Sequence, residues 1–311
     1  MNNGKVDRSG VLFTACSYTL WGILPLYWKL LEYVQAEEIL AHRVIWSFAF
    51  MAGILSVQKQ WPQFQQVFKQ MSIKPKIIFL LVISSLLISI NWYVYIWAVN
   101  NDHMIDASLG YYINPLVSVI LGVIFLKERL NWLQITSFVL AGVGVLISTI
   151  HYGKFPWVAV ILALSFGLYG LTKKVTKLNS SIGLTYETLV VTPIAGIYLI
   201  SIFENKSSAI LSFDFITIVL LMGAGIVTAI PLLLFAMGAQ RIPLYMVGVL
   251  QYIAPTITLI IGVLLYNEPF TIIEILTFAF IWSALFLFTI ANTKLIKRQS
   301  VKIHKKKSFQ L

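Results

Sequence analysis

Two charged side chains of this chain lie inside long apolar runs, where an ionised group is costly and marks a functional site by default. The guanidinium of Arg43 would attract an anionic or carbonyl-bearing solute through its planar set of donors. The carboxylate of Glu187 could take up and release a proton. Each has a plainer alternative. Arg43 could reach the lipid headgroups from near the end of its run, and Glu187 could be a membrane-interface residue bonded to a loop.

A second set of candidates combines aromatic rings with amides. Asn91, Trp92 and Tyr95 follow the spacing i, i+1 and i+4, which gives one polar-aromatic face on a helix. Such a face suits the wall of a cavity for an amphipathic or cationic solute. Intramembrane amides also bond helices to each other, so the remaining candidates have weaker support. These are Trp21, Tyr112, Asn114, Gln251 and Tyr252.

Composition predicts the elements that position these side chains. Hydrophobic residues make up 59% of the 311 residues and charged residues 11%, which leaves too little polar surface for a soluble protein. A disulfide scaffold is excluded because Cys16 is the only cysteine. The net charge of +11 lies in short basic clusters, which fits an anionic membrane surface and argues against a nucleic-acid groove. The sequence therefore predicts an all-α integral membrane protein.

Ten transmembrane helices are expected, because ten apolar stretches approach the roughly 20 residues that a bilayer requires. The stretches are continuously apolar and do not alternate, which argues against a β-barrel. The predicted spans are residues 10–31, 39–57, 76–99, 104–126, 132–150, 155–172, 182–203, 213–237, 243–266 and 271–293.

Loop charge predicts the orientation through the positive-inside rule. If the N-terminus is cytoplasmic, the outer loops hold only Lys29, Lys154 and Lys206, and most other lysines and arginines face the cytoplasm. Both termini are then cytoplasmic. Residues 294–311 form a basic tail that would contact anionic lipid headgroups or stay disordered. No organelle signal is recognisable, so we expect a multi-pass protein of a bacterial inner membrane.

The chain contains an internal repeat. A shift of 140 residues aligns the fourth and fifth spans with the ninth and tenth. Because each copy has five spans, the second copy, residues 155–293, enters the membrane from the side opposite to the first, residues 10–150. Inverted repeats of this kind are typical of alternating-access transporters, whose site lies near the midplane between the halves. The matched pairs include Tyr112 and Tyr252, Pro115 and Pro255, Gly122 and Gly262, and Glu128 and Glu268.

Several segments of the first half resemble the RarD group of the drug/metabolite transporter superfamily. They are WGILPLYWK at 21–29, EILAHR at 38–43, NWYVYIWAVNN at 91–101, ASLGYYINP at 107–115 and GVIFLKER at 122–129. In the second half only the general pattern of an EamA-type module of five helices is recognisable. The resemblance implies ten helices in two inverted halves and a small-molecule transporter of the cytoplasmic membrane. The group carries a chloramphenicol-sensitivity label, which defines no physiological cargo.

Rival classes have less support. An integral-membrane enzyme would need clustered catalytic residues, and the sequence shows no HExxH, CxxC, GxSxG or phosphate-binding loop. A passive facilitator or channel is the main alternative. We expect a secondary transporter for a small organic metabolite or drug, with no cofactor and with Glu187 as the proton-coupling candidate. Asp102, His103 and Asp106 could hold a metal but fit a solvated loop better, and Glu128 and Glu268 fit structural roles.

Overall fold

The computed structural model describes residues 7–73, 75–100, 104–153, 155–205, 215–266 and 271–308. These ranges form helices joined by short loops, and none of them contains a β-strand. The helices are α1 (Arg8–Lys29), α2 (Ala36–Val57), α3 (Trp61–Ile73), α4 (Pro75–Asn100), α5 (Met104–Leu126), α6 (Trp132–Tyr152), α7 (Trp157–Thr176), α8 (Ser180–Glu204), α9 (Phe215–Ala239), α10 (Leu244–Leu250), α11 (Ile253–Leu265) and α12 (Ile272–Ser308).

Local capping explains where several helices start and stop. The Asp7 carboxylate accepts hydrogen bonds from the Ser9 hydroxyl and from the first backbone N–H groups of α1. The bond from the Ser9 hydroxyl is the main reason that the pKa of Asp7 lies below its ordinary value. Asn131 and Gln134 form a reciprocal capping box at the start of α6, and Gly153 ends that helix in the left-handed conformation.

Ten membrane-crossing segments are confirmed within the described residues, and their edges differ from the predicted ones by a few residues. The predicted loop at residues 58–75 was incomplete, because it contains the short helix α3. The ring of Phe64 stacks on that of Tyr186 with the centroids 4.1 Å apart, and the Tyr186 hydroxyl donates to the Phe64 carbonyl at 2.8 Å. These contacts hold α3 against the start of α8.

The ninth span, predicted at residues 243–266, is present at Leu244–Leu265 and is interrupted by a turn. Gln251 and Tyr252 form a turn between α10 and α11. Pro255 is the third residue of α11, where its missing N–H removes no intrahelical hydrogen bond. The matched helix α5 continues through Pro115. At the other end of the chain, α12 extends to Ser308, so most of the predicted tail continues the last helix.

The most extensive packing joins helices of the first five spans to helices of the last five. The pairs are α6 with α12, α5 with α7, α2 with α9, α2 with α8, α4 with α7, and α1 with α9. Hydroxyls reinforce it, since Ser17 donates to the Pro231 carbonyl at 2.7 Å and Ser47 to the Gly225 carbonyl at 2.9 Å. The two groups of five helices therefore share one core.

Glu128 makes a further link between these groups. Its carboxylate oxygens accept hydrogen bonds from the backbone N–H groups of Leu244, at 2.7 Å, and Tyr245, at 2.9 Å. These groups start α10 and have no acceptor within that helix. The predicted structural role of Glu128 is confirmed, while Glu268 lies outside the described residues.

Candidate functional site

A cavity of about 290 Å³ lies between α2, α4, α7, α8 and α9. Both groups of five spans contribute to its wall. The lining side chains are mostly apolar and include Val44, Ile88, Trp92, Tyr169, Leu184, Glu187, Thr188 and Leu232.

Two opposite charges meet at this cavity. The Nζ atom of Lys173 lies 2.5 Å from Oε2 of Glu187, and the two side chains are 5% and 4% exposed. The Tyr169 hydroxyl donates to the same carboxylate oxygen at 3.2 Å. The ammonium compensates the carboxylate charge, which a pair removed from water requires.

Lys173 is the functional candidate that sequence reasoning missed. The sixth span was predicted to end at residue 172, but α7 continues to Thr176 and places Lys173 inside it. The interpretation that Arg43 is the only basic residue within a span is therefore wrong. Tyr169 and Lys173 have the spacing i, i+4 and share a helix face, which is the one local signal. Their partner Glu187 lies on another helix.

The guanidinium of Arg43 points into the helix bundle. Its Nε donates to the Thr228 hydroxyl at 2.9 Å. Its central carbon lies 4.6 Å from the centroid of the Trp28 ring and 4.8 Å from that of Trp92. These partners belong to α1, α4 and α9.

Trp92 joins the two charged sites, because it lines the cavity and also contacts Arg43. Tyr95 lies one turn further along α4, and its ring meets that of Tyr111 in α5 edge to face with the centroids 6.0 Å apart. Aromatic side chains therefore surround both the guanidinium and the adjoining wall of the cavity.

The side chains of Asn91 and Trp21 make contacts that hold helices together, and neither lines the cavity. The Asn91 amide donates to the Leu162 carbonyl at 2.9 Å and to the Ser165 hydroxyl at 3.0 Å, which bonds α4 to α7. The Trp21 ring packs among aromatic rings, and its centroid lies 5.5 Å from that of Phe166. The three residues of the predicted face thus contact different helices: Asn91 bonds to α7, Trp92 contacts Arg43 of α2, and Tyr95 packs against α5.

The remaining candidates lie at a different helix crossing. The Tyr252 hydroxyl donates to the Tyr112 carbonyl at 3.2 Å, so these repeat-matched residues touch each other. Gln251, in the turn between α10 and α11, and Asn114, in α5, are buried nearby. The side-chain oxygen of Asn114 has no hydrogen-bond partner among the described residues. The structure does not bring this group to the cavity that Glu187 lines.

A larger cleft of about 380 Å³ adjoins that crossing. Its lining includes Pro115, Tyr245, Tyr252 and Phe288 but no charged side chain of the described residues. The smaller cavity is the better functional candidate because Glu187, the acidic partner of the buried ion pair, lines it. The described residues contain no group of three or more His, Cys, Asp or Glu that could hold a metal.

The ten long apolar helices define the class of a multi-pass membrane protein, and comparison with known proteins shows that it is a transporter. Residues 8–150 match the EamA-like transporter family. The chain is 54% identical over 287 residues to the uncharacterized transporter YojE of Bacillus subtilis, covering 92% of this chain and 95% of that protein. It is 46% identical to protein RarD of Salmonella typhi, covering 92% and 96%.

The chain belongs to the RarD group of the drug/metabolite transporter superfamily. Its relatives are bacterial, which places it in the bacterial inner membrane. A solved crystal structure matches with a TM-score of 0.71 over 92% of this chain and 99% of the other. At 15% identity, that match shows the shared fold alone.

Proposed function

We propose that the protein is a secondary transporter that moves a small organic metabolite or drug by alternating access. The two halves, residues 10–150 and 155–293, are inverted copies around the cavity, and both termini are cytoplasmic. The observation that carries the proposal is the cavity itself, since helices from both halves form its wall and Glu187 of the buried ion pair lines it. Transporter sites occur at such repeat interfaces.

The packing pattern supports the inverted repeat. Exchanging each span for the one five positions along turns the α4–α7 contact into α9–α1, and the α5–α7 contact into α11–α1. The contacts α6–α12, α2–α8 and α5–α10 are each converted into themselves. An arrangement with a pseudo-two-fold axis in the membrane plane has this property.

The buried charges follow the same symmetry. Arg43 is the eighth residue of α2, and Glu187 is the eighth residue of the matched helix α8. In inverted copies these positions lie at opposite depths, which agrees with the separate partners of the two side chains, Thr228 and Lys173.

Individual roles follow from this arrangement. Glu187 carries the coupled proton. Uptake of the proton by its carboxylate opens the ion pair with Lys173 beside the cavity, and release of the proton closes the pair again. Trp92 and Arg43 contact the cargo. Anionic lipid headgroups bind the basic loops and the tail at residues 294–311.

Accessibility of the cavity tests the proposal. Cys16 is changed to serine, and a single cysteine replaces Thr188, which lines the cavity. A membrane-impermeant maleimide is added to right-side-out and to inverted vesicles. Alternating access predicts labelling of residue 188 in both kinds of vesicle. A control cysteine at Ile194, which is 68% exposed and lies on the face of α8 turned away from the helix bundle, stays unlabelled. Labelling of residue 188 from one side only contradicts the proposal.

A further inference from the structure

Arg43 is a membrane-embedded cation without an acidic partner among the described residues. The ion pairs found there are Lys29 with Glu32 and Lys173 with Glu187. The neighbours of the Arg43 guanidinium are instead the hydroxyl of Thr228 and the rings of Trp28 and Trp92. Among the residues that the structure describes, Lys173 therefore has an acidic partner and Arg43 has none.

Among the described residues, the guanidinium makes one hydrogen bond, from Nε to Thr228, and none from Nη1 or Nη2. The indole rings lie over its central carbon, and Tyr95 and Tyr111 interact with it electrostatically. Aromatic rings stabilise the charge but are poor acceptors for in-plane N–H groups. The Nη1 and Nη2 edge is the fork that binds a carboxylate through two parallel hydrogen bonds.

We propose that this edge of Arg43 binds a carboxylate of the cargo, and that the cargo is an organic monoanion with an aromatic or apolar body. The inference rests on the proposed transport function and specifies its substrate class. One negative charge neutralises the site, whereas a neutral carbonyl leaves a buried cation uncompensated. Trp28, Trp92, Tyr95 and Tyr111 supply the aromatic surroundings for the body of the solute.

Matched acids and amides test the charge requirement. Benzoate, indole-3-acetate and octanoate are each compared with the corresponding amide, which keeps the body and removes the charge. Binding is measured as a rise in the melting temperature of the purified full-length chain, once in detergent and once in phosphatidylcholine vesicles. We expect at least one acid to stabilise the protein and its amide not to do so. Stabilisation by an acid in detergent that disappears in phosphatidylcholine vesicles would show that a lipid phosphate occupies the edge and would overturn the proposal.

Substitution of Arg43 locates the site. Arg43→Gln removes charge-assisted hydrogen bonds, so the affinity for the acid falls by roughly tenfold to a hundredfold. Arg43→Lys keeps the charge without the planar fork and gives an intermediate loss. Arg241→Gln is the matched control, because that guanidinium also lies over an aromatic ring, 4.7 Å from the centroid of Phe13. Its affinity for the acid is unchanged.

Two results overturn the inference. In one, the acids bind no more tightly than their amides. In the other, Arg43→Gln binds the acid as the unsubstituted chain does. The comparison of acid with amide needs no variant, so it remains decisive if Arg43→Gln fails to fold. If the acids bind no more tightly than their amides but residue 188 is labelled from both sides, the carboxylate proposal fails and the proposed transport function stands. If residue 188 is labelled from one side only, the proposed transport function fails.

Discussion

Replacing Lys173 with methionine leaves the Glu187 carboxylate buried without its cation. Both side chains are almost wholly removed from solvent, and the two charged atoms lie 2.5 Å apart. Breaking a buried pair by removing one partner destabilises a protein by about 3–5 kcal/mol, because the remaining charge is uncompensated. We expect Lys173→Met to lower the free energy of unfolding by about this amount.

The double variant separates charge from packing. Adding Glu187→Leu to Lys173→Met replaces the pair with apolar side chains, and such replacements are often neutral or stabilising. The double variant should therefore regain most of the stability that Lys173→Met loses. Lys177→Met, at an exposed position near the end of the same helix, should change stability by no more than about 0.5 kcal/mol.

Unfolding by SDS in mixed micelles, followed by far-ultraviolet circular dichroism, measures these three variants and the single variant Glu187→Leu. The double-mutant cycle then gives the coupling energy between the two charges. If Lys173→Met is as stable as the unsubstituted chain, or if Glu187→Leu gives no recovery, the two side chains do not form a buried pair and the reasoning is refuted.

Three further predictions concern the links between the halves and the coupled proton. Glu128→Ala removes the acceptors for two N–H groups at the start of α10 and should cost about 1–2 kcal/mol in the same SDS assay; an unchanged stability would contradict the cap. Gly248→Ala places a methyl group 2.6 Å from the Pro115 carbonyl oxygen and should cost about 1–3 kcal/mol, whereas Gly142→Ala meets nothing within 4 Å and should be neutral or slightly stabilising. Glu187→Gln should abolish the pH-gradient response of uptake of the acid that binds, measured as the excess over uptake into protein-free liposomes, and a retained excess response would exclude Glu187 as the proton carrier.

The sequence predicted the features that depend on local composition. The ten spans follow from the lengths of apolar runs, so their number was correct and their edges were close. The turn at Gln251 and Tyr252 was missed because both helices beside it are apolar and continue the same hydropathy signal. The helix α3 was missed because its residues are too polar for a span and lie between two clear ones.

The candidate site was harder to predict because its partners are distant in the sequence. Arg43 and Glu187 were recognisable as charges within apolar runs, but nothing local showed that Thr228 or Lys173 would contact them. Asn91 shares a helix with Trp92, and its amide nevertheless turns to α7. Spacing along one helix places residues on a face, whereas the neighbour on that face depends on the packing of the whole bundle.

The orientation of the two halves is tested most directly by the sidedness of their loops. In the Cys16→Ser background, single cysteines replace Gln63 in α3 and Lys177 after α7, and a third replaces the 51% exposed Tyr33 between α1 and α2. Inverted halves with cytoplasmic termini predict that an impermeant maleimide labels residues 63 and 177 only from the cytoplasmic side and residue 33 only from outside. Labelling of residues 63 and 177 from different sides would contradict the inverted repeat.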